Sequence, residues 1–152
     1  MNEEPKKILS QFEMLSELLA LFPGLNTGLI DLPDADYQIM PRAEVDKILA
    51  PAVKGFLEAY KLAKWAESFD CDNFAETAHW CAGKMHHSAV EAGHSEAQAP
   101  AIGCLSYLTD NDRGHRLNII RTEQGWKAWE PQLQEFTPVT AQMRSEAMRI
   151  SF

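Results

Sequence analysis

Apolar residues recur at helical spacing along the first part of the chain. The spacing over residues 8–22 predicts a first helix, and Pro23 followed by glycine predicts its end. Residues 25–41 contain Pro33 and Pro41, follow Pro23, and are predicted to form a loop. A second amphipathic helix is predicted to start near Arg42 and to end before Phe69. The first part of the chain is therefore expected to be helical.

A third helix is predicted to begin at Asp70, because aspartate has the short oxygen side chain preferred at an N-cap, and to run to about His87. Cys71 falls at the start of this helix, on the stripe that faces the core. The other members of that stripe are Phe74, Ala75, Ala78, Ala82 and Met85. The pattern therefore places a thiol in the first turn of a packed helix.

The pattern changes beyond a surface connection over residues 88–100. Strands are predicted at 102–108, 117–122, 126–130 and 148–152, with turns at 109–114 and 123–125. Helices followed by an antiparallel sheet indicate an α+β fold. At 152 residues with 45% hydrophobic content, residues 1–152 are expected to form a single domain.

The net charge and the cysteine content argue against several classes of partner and metal site. A formal net charge of −8 argues against nucleic acid as a partner, because no basic cluster is present to neutralise phosphates. The 3 cysteines form neither an even framework nor a paired zinc motif, which favours reduced thiols. No signal peptide or membrane span is evident, so a soluble, cytoplasmic protein without a membrane partner is expected. The oligomeric state stays open.

Cys71, His115 and Glu130 occur in the chain order of a nucleophile, a base and a carboxylate that orients the base. A thiol attacks as its thiolate, and a helix N-terminus beside an imidazolium lowers the thiol pKa. Asp70 and Asp72 flank Cys71 and oppose that effect unless a bound cation or an arginine neutralises them. The order of residues predicts a cysteine hydrolase, a peptidase or amidase acting through an acyl-enzyme.

The strand register decides whether His115 and Glu130 meet. Opposed residues of an antiparallel pair have a constant sum, and the two side chains share a face only if that sum is odd. A two-residue turn at Glu123-Gln124 gives an odd sum and places His115 opposite Gln132 and diagonal to Glu130. A three-residue loop sends the two side chains to opposite faces. In the odd register, the Gln132 amide is a candidate donor to an oxyanion.

The chain resembles the papain-like cysteine protease domains of the fairy-ring mushroom agglutinin and its microbial relatives over roughly residues 41–132. The resemblance rests on three motifs, which are Asp70-Cys71-Asp72-Asn73-Phe74-Ala75, Gly114-His115-Arg116-Leu117-Asn118 and Glu130-Pro131-Gln132. It implies a papain-like, transglutaminase-like fold and a catalytic triad of Cys71, His115 and Glu130. It also implies that Gln132 has the oxyanion role and that the substrate is a peptide or protein.

The resemblance further implies dependence on Ca²⁺ or Mn²⁺, with Asp70, Asp72 and Asn73 as candidate ligands. The chain departs from the family pattern where Asn73 replaces a more usual aspartate. A smaller carboxylate set implies a weaker metal site. Arg116 replaces a small residue and places a large cation beside His115.

Other functions stay open at this stage. A non-catalytic binding or structural module that retains the fold is the main alternative, and a transglutaminase-like acyltransferase is the alternative among enzymes. His79, Cys81, His86 and His87 lie close in sequence, but on a helix Cys81 points away from the histidines, so a solvated histidine face is favoured over a zinc site.

Overall fold

A computed structural model describes residues 8–93 and 98–152, and its elements divide between two parts of the chain. The first part contains β1 (Ile8–Ser10), α1 (Gln11–Leu21), a 3₁₀ turn (Thr27–Leu29), β2 (Ile30–Asp31), β3 (Asp36–Gln38), α2 (Arg42–Glu44), a π-helical segment (Val45–Leu49), α3 (Ala50–Ala59) and α4 (Cys71–Glu91). The second part contains β4 (Ala99–Pro100), β5 (Ile102–Leu108), β6 (Gly114–Thr122), β7 (Gly125–Glu130), β8 (Glu135–Thr137), α5 (Ala141–Ser145) and β9 (Ala147–Ser151).

The predicted helices are present, and a local cap fixes the start of the first one. The Ser10 hydroxyl accepts a hydrogen bond from the Glu13 backbone N–H, and the Glu13 carboxylate accepts one from the Ser10 N–H. The helix therefore starts at Gln11, later than predicted, because Ile8–Ser10 pairs as a strand with β3. It ends at Leu21, before Pro23, as predicted.

The strands form two sheets. The smaller has the order β1-β3-β4, and the larger has the order β2-β9-β5-β6-β7-β8. β2 pairs in parallel with β9, and β3 pairs in parallel with β4. The prediction that residues 25–41 form a loop is therefore wrong for β2 and β3. Their hydrogen-bond partners come from distant parts of the chain, which no local pattern records.

The predicted papain-like arrangement, with helices first and an antiparallel sheet second, is corrected by this topology. Three strands precede α2, and two strand pairs are parallel. The structure is a mixed α/β fold in which the sheets recruit segments from both ends of the chain.

The β6–β7 hairpin has the odd register. Its pairs run from Asn118–Trp129 to Thr122–Gly125, which leaves a two-residue turn at Glu123-Gln124. Gly125 has a φ of 102°, in the left-handed region that glycine enters without strain. The register that the His115–Glu130 hypothesis requires is therefore the one formed.

Helix α4 packs across the large sheet through an apolar stripe. Phe74, Ala78 and Ala82 are fully buried and share a core cluster with Ile120 and Trp129 of the sheet. A second core cluster lies between α1, the small sheet and the opposite face of the large sheet, because its members on β6 and β7 alternate with those of the first cluster. Burial of the stripe fixes α4 on the sheet and so fixes where each end of the helix lies.

No helix in the described ranges is long and apolar enough to cross a bilayer.

Candidate functional site

The first turn of α4 is built as the sequence predicts. Asp70 is the N-cap, and its side chain accepts a hydrogen bond of 3.2 Å from the Asp72 N–H. The Asn73 side-chain oxygen accepts one of 3.1 Å from the Asp70 N–H, which completes a capping box. Cys71 is therefore the first residue of α4.

His115 and Glu130 meet on the sheet. His115 Nε2 lies 3.0 Å from Glu130 Oε2, and both side chains are partly buried. The pair is diagonal across β6 and β7, as the odd register requires. A carboxylate in this position holds the imidazole in a fixed tautomer and orientation.

Cys71 lies against the same part of the sheet. The backbone N–H of Arg116, the residue after His115, points to the Cys71 sulfur and lowers the thiol pKa. Burial, which is the largest effect, and the charges of Asp72 and Asp70 outweigh it and raise the pKa of Cys71 above its ordinary value. The thiol donates to the Asp72 carboxylate at 3.8 Å. We call the surface formed by Cys71, His115, Glu130 and their neighbours the Cys71 crevice.

The electrostatics of this crevice differ from those of an activated nucleophile. An activated cysteine has a lowered pKa, whereas the pKa of Cys71 is raised. Within the described residues, no hydrogen bond joins the Cys71 sulfur to the His115 ring. Cys71 is therefore a protonated thiol at neutral pH.

Tyr107 is a member of the crevice that the sequence analysis missed. Its ring meets the His115 ring edge to face, with centroids 5.6 Å apart. Burial, and then the charges of Glu130 and Cys71, raise the pKa of Tyr107. Tyr107 lies directly opposite His115 in the β5–β6 hairpin, so the register of that hairpin identifies it.

Arg116 and Asn118 fix α4 to the sheet. Arg116 Nη1 donates to Glu76 of α4 at 2.8 Å, and Asn118 Nδ2 donates to the Ala75 carbonyl at 2.9 Å. Asn118 is fully buried, which makes this contact a structural one. Arg116 and Asn118 are two residues apart, so the sequence indicates that they share one face of β6, but it does not indicate their partners on α4.

Gln132 has a different environment. Strand β7 ends at Glu130, so the expected place of Gln132 opposite His115 is not a strand pair. Gln132 lines a cavity of about 230 Å³ together with Lys54 and Leu57 of α3. No hydrogen bond in the described residues joins Gln132 to Cys71 or His115, and its oxyanion role stays a prediction.

The metal site implied by the resemblance lacks donors. One ligand atom each from Asp70, Cys71 and Asp72 lie within 4.8 Å of one another. The side-chain oxygen of Asn73, the third predicted ligand, is used by the capping box. Ca²⁺ takes six to eight oxygen ligands, and a thiol is a poor substitute. These residues alone do not fit a Ca²⁺ or Mn²⁺ site, and metal binding stays a prediction.

The histidines of α4 do not form a zinc site. Among the residues that the structure describes, no group of three ligand side chains gathers around His79, Cys81, His86 and His87. His79 and His86 instead line a cavity on the distal half of α4.

Comparison with known proteins identifies the fold. One similar solved structure is described as a PSL1a–E64 complex, with a TM-score of 0.71 and 20% identity over 95% of this chain and 51% of the other. Another is the Polyporus squamosus lectin bound to Neu5Acα2-6Galβ1-4GlcNAc, a human-type influenza-binding epitope, with a TM-score of 0.67 and 18% identity over 95% and 49%. This chain thus spans about half the length of each. No family model and no curated protein matches the sequence.

These findings correct the predicted class. The structures that share the fold are described as a lectin and as PSL1a, and neither description names a protease. The resemblance to a papain-like protease domain, and the prediction of a cysteine peptidase or amidase with a catalytic triad, are therefore not supported. The raised pKa of Cys71 is the physical reason within this chain. Both descriptions name a bound molecule, which supports a binding partner in the general sense.

Proposed function

We propose that this chain is a ligand-binding module and that the Cys71 crevice is its binding site. The observation that carries the proposal is the convergence of a protonated thiol, a carboxylate-oriented imidazole and a tyrosine at one place on the sheet. His115 Nε2 lies 3.0 Å from Glu130 Oε2, and the Arg116 N–H adjoins the Cys71 sulfur. Partly buried polar groups that converge in this way orient a bound molecule through hydrogen bonds.

Two ligands are named with the similar structures, a sialylated glycan and E64. The charges of Asp70 and Asp72 act on the thiol, and Glu130 lies on the His115 side of the crevice. These carboxylates disfavour an anionic group beside the thiol, and both ligands carry a carboxylate, so charge does not choose between them. We use E64, the molecule named with PSL1a, as the probe for this crevice.

Each residue of the Cys71 crevice has its own role in binding. His115 donates or accepts a hydrogen bond, Glu130 holds the ring of His115, and Tyr107 forms a wall of the crevice. Cys71 contributes a neutral S–H group, which is a weak donor and a small apolar surface.

The test is titration of the full chain with E64, followed by calorimetry and by intact mass spectrometry. We expect saturable, reversible binding and a higher Tm, with no E64 mass added to the chain, because the raised pKa keeps Cys71 protonated; a covalent adduct that Cys71→Ala removes contradicts the proposal. Cys71→Ala and His115→Ala should each weaken binding about tenfold or more. His87→Ala is the matched control, because His87 is 72% exposed and lies at the other end of α4.

Two further outcomes overturn the proposal. Absence of saturable E64 binding removes the crevice as the binding site. Multiple turnovers on a panel of peptide, amide or ester substrates, lost in Cys71→Ala, show that the chain is an enzyme and not a binding module.

A further inference from the structure

A cavity of about 440 Å³ lies on the distal half of α4, away from the Cys71 crevice. It opens between α4, the small sheet and the C-terminal residue Phe152, and we call it the α4 cavity. Its volume is within the range of small-ligand pockets. His79, its first residue on α4, lies about 12 Å along the helix axis from Cys71, so the two sites are separate.

The α4 cavity holds one unpaired negative charge. Asp34 is exposed at its edge, and within the described residues the Asp34 carboxylate makes no hydrogen bond or ion pair. The Asp34 backbone N–H donates to the Tyr37 hydroxyl at 3.0 Å, which fixes the loop that carries the carboxylate. Tyr37 is almost fully buried, so this anchor is rigid.

Two imidazoles, His79 and His86, supply hydrogen-bonding groups on the α4 side of the cavity, and His86 Nε2 lies 3.5 Å from Glu44 Oε1. Burial, and then the charge of Arg116, lower the pKa of His79, so this ring is neutral at pH 7. His86 Nδ1 lies 2.7 Å from the Gln98 carbonyl oxygen, and since that oxygen only accepts, the ring donates there. A neutral His79 has one ring nitrogen available as an acceptor.

The rest of the cavity contains open space and an apolar wall beside the polar residues His87 and Gln98. Gly83 lies on α4 one turn beyond His79, and a Cβ added to it meets nothing within 4 Å. Val90, Pro100 and Phe152 form apolar walls. The space therefore suits a short hydrocarbon segment beside a polar head.

We propose that the α4 cavity binds a small alkyl diamine: one ammonium group pairs with Asp34 and donates a hydrogen bond to His79, the alkyl chain packs against Val90, Pro100 and Phe152, and the second ammonium group stays in solvent at the open side of the cavity. An unpaired carboxylate facing a neutral acceptor favours a cation over a neutral or anionic molecule of the same size. The net charge of −8 attracts cations to the protein as a whole.

Three molecules of similar length test whether the charge of the ligand or its shape determines binding. They are cadaverine, which is cationic, 1,5-pentanediol, which is neutral, and glutarate, which is anionic. Calorimetric titration should show saturable binding of cadaverine, binding of pentanediol that is about tenfold weaker or less, and no binding of glutarate. Equal binding of cadaverine and pentanediol overturns the proposal, and so does the absence of saturable cadaverine binding.

Two variants locate the site. Asp34→Asn should weaken cadaverine binding about tenfold, whereas Asp36→Asn, a neighbouring exposed acid that does not line the cavity, should not change it. Gly83→Leu should abolish binding by filling the cavity without lowering Tm, because leucine is a better helix former than glycine. Gly55→Leu is the matched control, since Gly55 also lies on an exposed helix face with open space around it.

The test is independent of the function proposed above. Cys71→Ser should bind cadaverine like the unmodified chain, even if E64 binding fails. Loss of cadaverine binding in Cys71→Ser, or unchanged binding in Gly83→Leu, shows that the cation binds elsewhere.

Discussion

The two ends of α4 carry different chemistry on one continuous helix. At its start, Cys71 lies among Asp70, Asp72 and the His115–Glu130 pair of the sheet. On its distal half, His79 and His86 face Asp34 across an open cavity. The helix itself supplies a thiol and the Asp72 carboxylate at one end and imidazoles at the other, whereas Glu130 and Asp34 come from other elements. One buried stripe, centred on Phe74, Ala78 and Ala82, therefore positions both the Cys71 crevice and the α4 cavity.

Removing Phe74, the buried anchor shared by both ends of α4, should have the largest effect. Phe74 is fully buried, and its ring contacts the Phe69 ring edge to face, with the ring centroids 4.9 Å apart. We expect Phe74→Ala to lower the free energy of unfolding by about 3–5 kcal/mol, because a cavity of aromatic size opens beneath α4. Denaturant unfolding measures the loss. Phe12→Ala, at a position 77% exposed, is the control and should change stability by less than about 0.5 kcal/mol. A loss below about 1 kcal/mol in Phe74→Ala contradicts the role of the stripe.

Removing the N-cap at Asp70 should affect the Cys71 crevice and leave the α4 cavity unchanged. Asp70→Ala deletes the hydrogen bond that the Asp70 side chain accepts from the Asp72 N–H, keeps the one that the Asp70 backbone N–H donates to Asn73, and should cost about 1 kcal/mol in denaturant unfolding. It should weaken E64 binding at the Cys71 crevice and leave cadaverine binding unchanged. Asp70→Asn is the matched control, because asparagine caps as well as aspartate does. Equal loss of stability in both variants rules out the cap as the cause.

The thiol should distinguish the Cys71 crevice from an activated site. Burial and the charges of Asp72 and Asp70 raise the pKa of Cys71, so its thiolate fraction at pH 7 is below that of an unperturbed thiol. Iodoacetamide should therefore alkylate Cys71 more slowly than a free cysteine at pH 7, with a rate that rises as pH rises through the raised pKa. Asp72→Asn should speed the reaction at pH 7 because it removes one negative charge. Peptide mass mapping separates Cys71 from the buried Cys81 and Cys104. Fast alkylation at neutral pH that His115→Ala slows is the opposite result, and it restores the nucleophile interpretation.

Added metal should give the smallest effect, at the Cys71 end alone. Because Asn73 is used by the cap, Ca²⁺ or Mn²⁺ at about 1 mM should stabilise the chain by less than about 0.4 kcal/mol, which corresponds to a dissociation constant weaker than about 1 mM. Thermal unfolding with and without the metal measures this, with Mg²⁺ as the control. A larger increase in Tm that Asp72→Asn removes shows that the metal prediction holds.

Local sequence signals determined the helices, the hairpins and the His115–Glu130 pair of the candidate site. The N-cap at Asp70 and the start of α4 follow from the short range of capping hydrogen bonds. The meeting of His115 and Glu130 follows from a two-residue turn, because a tight turn fixes the register of both strands. Such features depend on residues close in sequence and are therefore visible in it.

Tertiary structure alone decided the sheet order, the class of fold and the electrostatic state of the thiol. β2 pairs with β9 from the other end of the chain, and its two residues carry no pattern that names this partner. The pKa of Cys71 depends on how deeply the sulfur is buried, and that depth is set by where α4 rests on the sheet. The α4 cavity likewise exists only because Asp34 and Phe152 are brought to the same face of α4. Contacts between distant segments depend on packing and not on local preference, so the sequence supplied the chemical groups and the fold decided which of them meet.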